Sequence, residues 1–443
     1  MRGMRMKKVR WIGLVLLAAG SLLGVEPPGR NPKVAGIVEQ ISAQNLKAHV
    51  GALAAIHSRH ILSPHIQEAW EYIRKEFAKN ERLQVELDEF EVQVRRLGDQ
   101  PVRLVNVVAT LPGTTDPDRI YLVSGHYDSR ASSGRDAESR APGAVDDASG
   151  TAAVIELARV MSQHQFEATL VFIAFSGEEV GLLGSRHWAD RAREQGLHID
   201  AMITNDIIGN SQGGGGHLSN TEMRVFSEGV AAAETEQQAR LRQSIGGEVD
   251  SPARQLARHV KEMGEFYVPG FKIHLIYRRD RFGRGGDHTS FSRAGYPAVR
   301  FSEMYENYTR QHQDVREEGG IQYGDLPESF DADYSAAIVR VNAAVLAGLA
   351  DAPAPPSNLR IRGAVRYDTS LSWEASQAAD HAGYAILVRE TSAPYWQRRI
   401  PVGNVTEHVL KGTIVDNFFF AVQAVDEEGN LSRPVFPQGT RRR

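Results

Sequence analysis

A chain of 443 residues, 42% hydrophobic and 24% charged, can bury a large core and divide into more than one folded unit. Its formal net charge of −4 gives no electrostatic reason to expect a nucleic-acid partner. It has no cysteine, which excludes disulfides, thiolate nucleophiles and cysteine zinc knuckles together and leaves His and carboxylates to bind any metal.

Arg2, Arg5, Lys7, Lys8 and Arg10 precede an uncharged run over 11–25, which Glu26-Pro27-Pro28 ends. A basic stretch before a short apolar one is the pattern of a secretory signal, with small residues for cleavage up to Gly24. Residues 1–24 are therefore expected to direct the protein to the periplasm or the exterior. The run is shorter than the roughly 20 residues that span a bilayer, and an uncleaved N-terminal anchor is the alternative. No other segment reads as membrane-crossing.

A catalytic domain is expected over 30–351. One helix is predicted over 31–55, and a second is announced by Ser63 and Pro64, with Ile66, Trp70, Ile73 and Phe77 at helical spacing. Strands follow over 83–94 and 102–111. Apolar strands then alternate with helices: strand 120–123, helix 148–161, strand 169–175, helix 181–195, strand 199–208. After an excursion come helix 251–263, strands 271–276 and 298–301, and helix 331–349. Strands apolar on both faces and separated by helices predict an α/β three-layer sandwich around a mainly parallel sheet. Sites in such folds lie beyond the carboxyl ends of the strands. The excursion over 211–249 is poor in strand signals and contains Gly213-Gly214-Gly215-Gly216. It reads as a surface loop; no Lys-Ser or Lys-Thr follows, as a phosphate loop would need. Residues 352–357 read as a semi-rigid proline linker, and short alternating strands over 358–437 predict an all-β sandwich.

Acids and histidines gather where these strands end. His126 and Asp128, two apart, point to one face, where Asp128 can hold the second ring nitrogen of a metal-ligating His126 or merely satisfy a buried polar group. Asp146-Asp147 stand where a loop enters a helix. Asp is a preferred N-cap, which is enough to explain Asp147, but two consecutive acids exceed a cap's needs. Glu178-Glu179 follow an apolar strand; they either favour a first helical turn or divide metal binding and proton transfer between them. Asp206 ends an apolar strand, where a carboxylate is costly unless paired or metal-bound. His312, in a polar loop, would by itself be an ordinary surface histidine, and His288 reads as a structural or pocket-wall residue.

Four blocks carry a resemblance: Gly125-His126-Tyr127-Asp128-Ser129; the stretch 141–150 around Asp146-Asp147; the stretch 175–185 around Glu178-Glu179; and Asp287-His288-Thr289-Ser290-Phe291 with Ala294-Gly295-Tyr296-Pro297-Ala298. In these blocks and their spacing, residues 100–350 resemble the secreted co-catalytic di-zinc peptidases that include bacterial leucyl aminopeptidase, aminopeptidase Y and the glutamate carboxypeptidase group. The resemblance implies two zinc ions bridged by Asp146, with His126 and Asp206 completing one site and Glu179 and His312 the other. It implies Glu178 as the general base that takes a proton from the attacking water and passes it to the leaving amine, and Asp128 as the orienting acid. The peptide bond at the position of Asp146-Asp147 is often cis in that family. Around the last ligand the family usually has Tyr-His-Thr, whereas Tyr308-Thr309-Arg310-Gln311-His312-Gln313 stands here, so His312 departs from the pattern.

The expected function is an exported zinc exopeptidase acting on peptides, most simply an aminopeptidase. A carboxypeptidase or N-acyl amino-acid hydrolase on the same metal core is the alternative. Arg281 and Arg284 could clamp a carboxylate for it, unless they belong to a solvated basic loop. Glutaminyl cyclases share the fold but work with one zinc, and inactive binding ectodomains usually lose ligands that are present here. The segment 358–437 resembles a fibronectin type III domain in Leu371-Ser372-Trp373, Gly383-Tyr384 and Ala421-Val422-Gln423-Ala424-Val425. Spacing, or attachment to a polymer or surface, is expected of it.

Overall fold

The computed structural model describes residues 29–94, 98 and 100–440. The segment expected to act as a signal over 1–24 lies outside them. Among the described residues, no helix is long and apolar enough to cross a membrane.

The single helix expected over 31–55 is two. Asn31 caps α1 (Pro32–Glu39), and α2 (Ala43–Ala54) begins after Ser42, whose hydroxyl accepts from the Asn45 N–H. Ser42 has extended backbone and donates its own N–H to Glu156 at 2.8 Å, so the helical axis breaks there although the apolar spacing continues. In α3 (Ile66–Phe77) the expected Ser63 cap is absent; its hydroxyl accepts from the His65 N–H instead. There follow β1 (Gln84–Gln93), β2 (Pro101–Leu111), β3 (Asp116–His126), α4 (Ala148–Met161), β4 (Ala168–Phe175), α5 (Leu183–Glu194) and β5 (His198–Asn205). Then come β6 (Glu222–Phe226), α6 (Glu236–Ile245), α7 (Pro252–Tyr267), β7 (Lys272–Ile276), α8 (His288–Ala294), β8 (Ala298–Glu303), β9 (Arg316–Glu318), β10 (Ile321–Tyr323) and α9 (Ala332–Asp351).

Eight strands form one sheet in the order β1-β2-β4-β3-β5-β8-β6-β7. Its centre, β4-β3-β5-β8, is parallel throughout. The antiparallel pairs, β1 on β2, β2 on β4 and β6 on β8, flank that centre. Alternation along the central strands divides the core. Tyr121, Val123, Leu170 and Phe172 face α1, α2, α4, α7 and α9, whereas Ile120, Leu122, Val171 and Ile173 face α5 and α8. Covering both faces is what lets these strands be apolar at every position. Each fully buried Leu or Phe contributes roughly 1.5–3 kcal/mol.

The excursion over 211–249 is not a plain loop. It supplies β6 to the central sheet and carries α6, which is closed by a Thr235/Gln238 capping box. β6 is only five residues long and buries Met223, Val225 and Phe226, while α6 buries none of its residues, so neither leaves an extended apolar pattern to read.

Beyond α9, seven strands form two small sheets. β11 (Ser357–Arg362), β12 (Thr369–Glu374), β13 (His381–Glu390), β14 (Arg398–Gly403), β15 (Glu407–Leu410), β16 (Phe418–Asp426) and β17 (Gly439–Thr440) pair as β15-β12-β11-β17 and β14-β13-β16. Apart from the parallel β11–β17 contact their pairings are antiparallel, and they enclose Leu359, Leu371, Trp373, Ile386 and Val422. The segment between α9 and β11 is itself anchored: the Arg119 guanidinium donates to the Ala352 carbonyl at 2.8 Å.

Candidate metal centre

Three central strands deliver the acids and the first histidine. β3 ends at His126, β4 ends three residues before Glu178, and β5 ends one residue before Asp206. Asp146 stands in the loop entering α4, and His312 follows β8 in a longer loop. Five described non-glycine residues have positive φ, and three of them lie in these turns: Leu182 (+60°), Ile207 (+65°) and His312 (+53°). The left-handed region costs a non-glycine residue about 1–3 kcal/mol, and for β-branched Ile207 it is a marked outlier. Something must hold such turns.

Asp147 holds one of them. Its carboxylate accepts from the Ile207 N–H at 3.1 Å, the His126 N–H at 3.1 Å and the Gly150 N–H at 3.0 Å. The N-cap reading of this residue was therefore too small: it caps α4 and also ties the segments bearing His126 and Asp206. A Cβ on Gly150 would lie 2.1 Å from the Asn205 carbonyl, so only glycine lets α4 begin this close to β5. The Asp146–Asp147 peptide is cis.

Asp128 also does more than expected. The His126 Nδ1 lies 3.1 Å from the Asp128 carbonyl oxygen and 3.6 Å from its Oδ1, so the backbone is the nearer orienting partner. The carboxylate instead accepts from the N–H groups of Glu178 and Glu179, at 3.1 and 3.2 Å. Gly177, at φ +76°, makes the turn that presents this pair.

The expected ligands converge as two trios sharing Asp146. In His126–Asp146–Asp206 and in Asp146–Glu179–His312, one ligand atom from each residue lies within 4.8 Å of the others. His126 Nε2 is 3.3 Å from Asp146 Oδ1 and 4.0 Å from Asp206 Oδ1, and His312 Nε2 is 2.9 Å from both Asp146 Oδ2 and Glu179 Oε1. Zinc bonds of about 2.0–2.2 Å to N and O ligands suit such spacings. Asp206 Oδ2 is buried and has no hydrogen-bond partner among the described residues, which fits a carboxylate with an oxygen left for an ion.

The electrostatics describe one coupled cluster. Burial pushes the Glu178 carboxyl well above the usual range, and the charges of Asp206, Glu179 and Asp287 push the same way. Burial would raise Asp146 as well, but His312 and His126 hold it well below that range. Burial works against protonation of His312, yet Glu179 and Asp146 raise it to about 10. A cation placed among these carboxylates would take over the role of that proton.

Several residues that surround the ligands carried no signal in the sequence. Asp325 accepts from the Val145 and Asp146 N–H groups at 2.9 and 2.7 Å and so fixes the Asp146 backbone; burial raises its carboxyl to about 7. Gln311 donates to Asp146 Oδ2 at 3.0 Å. Arg300, fully buried on β8, lies 3.1 Å from Asp206 Oδ1 and 2.8 Å from Asp280 Oδ1. Arg281 and Arg284 are not a solvated basic loop. Both pair with buried Glu306, at 3.2 and 3.1 Å, and Arg281 comes within 3.8 Å of Asp206. His288 is fully buried with its Nε2 2.8 Å from the Arg279 carbonyl and is not among the residues that line the cleft over the centre. A cleft of about 450 Å³ opens over the centre, lined by Glu178, Glu179, Leu182, Asp206, Arg284 and His312.

The profile described as Peptidase family M28 matches residues 106–322. A probable zinc metalloprotease of Pyrenophora tritici-repentis (strain Pt-1C-BFP) is 40% identical over 433 residues, covering 94% of this chain and 89% of that protein. Among solved structures, the Legionella pneumophila LapA aminopeptidase aligns with a TM-score of 0.52 at 18% identity, over 73% of this chain and 76% of its own. The Fimbriiglobus ruber glutaminyl cyclase gives 0.52 at 20% identity, over 69% and 94%. At such identities these two structures share the fold with this chain and do not choose between peptide hydrolysis and cyclisation.

Proposed function

The chain belongs to peptidase family M28 and is a zinc metallopeptidase, and from that premise we propose that it is an exported aminopeptidase that uses two zinc ions. The observation that carries the two-ion reading is the division of Asp146: its Oδ1 faces His126 and its Oδ2 faces His312, one oxygen for each trio. His126, Asp146 and Asp206 would hold one ion, and Asp146, Glu179 and His312 the other. Zinc in such a site polarises a carbonyl and acidifies water.

The remaining work falls to side chains. Glu178 is presented into the cleft by the turn that Asp128 fixes, and burial raises its proton affinity. It is thus suited to accept a proton from the attacking water and return it to the leaving amine. The arginines of the cleft support the aminopeptidase direction. Arg281 and Arg284 both pair with buried Glu306, which engages the guanidinium groups that a C-terminal carboxylate would need. Export rests on the basic residues that precede the uncharged run over 11–25.

The test is an assay of the purified protein on aminoacyl, C-terminal and pyroglutamyl-forming substrates, with and without a chelator. Release of N-terminal residues, lost on chelation and restored by zinc, is expected. C-terminal release, pyroglutamate formation or indifference to the chelator would each overturn the reading.

A further inference from the structure

The loop 277–287, between β7 and α8, forms one wall of the cleft through Arg281, Gly283, Arg284 and Gly285. Its far end is anchored by the ion pairs of Asp280 and Arg281 described above. Its near end, Tyr277, is anchored by the C-terminal sheets. The Tyr277 hydroxyl donates to the carbonyl of Pro394, in the turn between β13 and β14. Arg258 on α7 donates to the same carbonyl at 2.8 Å and to the Tyr277 hydroxyl at 3.3 Å. The Arg254 guanidinium lies over the Tyr277 ring, 3.6 Å from its centre.

The contact beneath this turn is built for permanence. Asp250 receives Arg258 from the catalytic domain at 2.5 Å and Arg389 from β13 at 2.6 Å, with all three side chains at most 1% exposed. Arg389 is also stacked against Trp396 and Phe419, with centroid distances of 5.4 and 4.3 Å. A flexibly tethered attachment module would have no use for a buried Arg–Asp–Arg bridge aligned with the start of an active-site loop.

We propose that the C-terminal sheets are part of the active-site scaffold, with Tyr277 the positioning residue through which the 391–397 turn fixes the loop that braces Asp206. From Tyr277 the chain reaches Asp280 in three residues, and Asp280 holds Arg300, which in turn contacts Asp206. Loosening Tyr277 therefore shifts the carboxylate at one half of the metal centre without touching substrate. The inference rests on the reading of Asp206 as a metal ligand.

The experiment compares Tyr277→Phe with Glu262→Gln in the full chain. Glu262 pairs with Arg399 at 2.7 Å in the same interface but does not contact the loop. Three quantities are read: kcat and KM separately, zinc affinity of the metal-free protein by titration, and melting temperature. Tyr277→Phe is expected to lower kcat and weaken one of the two zinc-binding steps by about 3- to 10-fold, the scale of one net hydrogen bond, with little change in melting temperature. Glu262→Gln is expected to leave kcat and zinc affinity unchanged. Equal kinetic effects of the two variants, or none from Tyr277→Phe, would overturn the proposal. Asp206→Asn is run alongside: full zinc retention there would remove the ligand assignment, and the kcat comparison would still decide whether Tyr277 anchors the loop.

Discussion

The two ligand pairs that flank Asp146 are built in different ways. His126 and Asp206 stand at the ends of adjacent parallel strands, 1% and 3% exposed, with Asp147, Asp128 and Arg300 holding their backbones or side chains. Glu179 and His312 meet across a turn and a long loop, and the His312 side chain is 27% exposed. Its loop is tied down by the mutual hydrogen bonds of Asp314 and Ser132, at 3.0 and 2.9 Å. The sheet-borne pair is preorganised by the core. The loop-borne pair depends on local ties at the rim. Rigidity and affinity need not coincide, because Arg300 beside Asp206 shares the carboxylate's charge and opposes a cation there, and no arginine plays that part for Glu179 or His312 among the described ion pairs.

Asp146 belongs to both halves, so the largest effect should come from losing it. Asp146→Ala is expected to lose both zinc ions, measured by elemental analysis, together with all detectable hydrolysis. A variant that keeps one ion would show that one half binds independently and would break the symmetry of the two trios. Glu178→Gln removes the base and no ligand. It is expected to lower kcat by about 10²–10⁴-fold with zinc content unchanged; loss of zinc in this variant would move Glu178 into the ligand set.

Single ligands separate the halves. His126→Ala and His312→Ala should each leave about one zinc per chain. Unfolding in the presence of a chelator removes the metal contribution from the comparison. Under those conditions His126→Ala is expected to cost about 1–3 kcal/mol, because it strips a partner from fully buried carboxylates. His312→Ala also strips Asp146 and Glu179 of a partner, but water can enter the space left by its 27% exposed side chain, so it should cost less. Equal destabilisation would contradict the distinction between a core-borne and a loop-borne half.

That distinction also explains how much could be read before the fold was known. β3, β4 and β5 are buried on both faces, so each leaves an unbroken apolar run, and an acid or histidine at its end stands out. His126, Glu178, Glu179 and Asp206 are placed by that rule. His312 is not, because it meets Glu179 across 133 positions in a loop with no periodicity. Asp325 and Arg300 were unreadable for the same physical reason: a buried charge is justified by partners distant in sequence, here Asp146 and Asp206. α8, β9 and β10 are too short for a period to emerge. The buried bridge at Asp250 joins residues up to 139 positions apart and looks, in the sequence, like ordinary surface charge.

The smallest effect sharpens the comparison by setting its pH baseline. Metal binding to histidine and carboxylates is proton-linked, so the two halves can be compared over pH only once titrations elsewhere are known. Glu167, just before β4, is one of these. Burial, followed by the charges of Asp380 and Asp351, raises its carboxyl to about 7. A carboxyl that holds its proton more tightly in the folded state makes that state bind more protons than the unfolded chain, between the ordinary glutamate value and about 7. Stability from this group is therefore present at low pH, declines as pH rises through that window, and stays lost above it. Glu167→Gln keeps the shape and removes the charge. It should raise the melting temperature at pH 8 by about 1–3 °C, a modest shift because the group is only partly buried, and leave it unchanged at pH 4. An equal shift at both values would assign the effect to packing and remove Glu167 from the pH baseline.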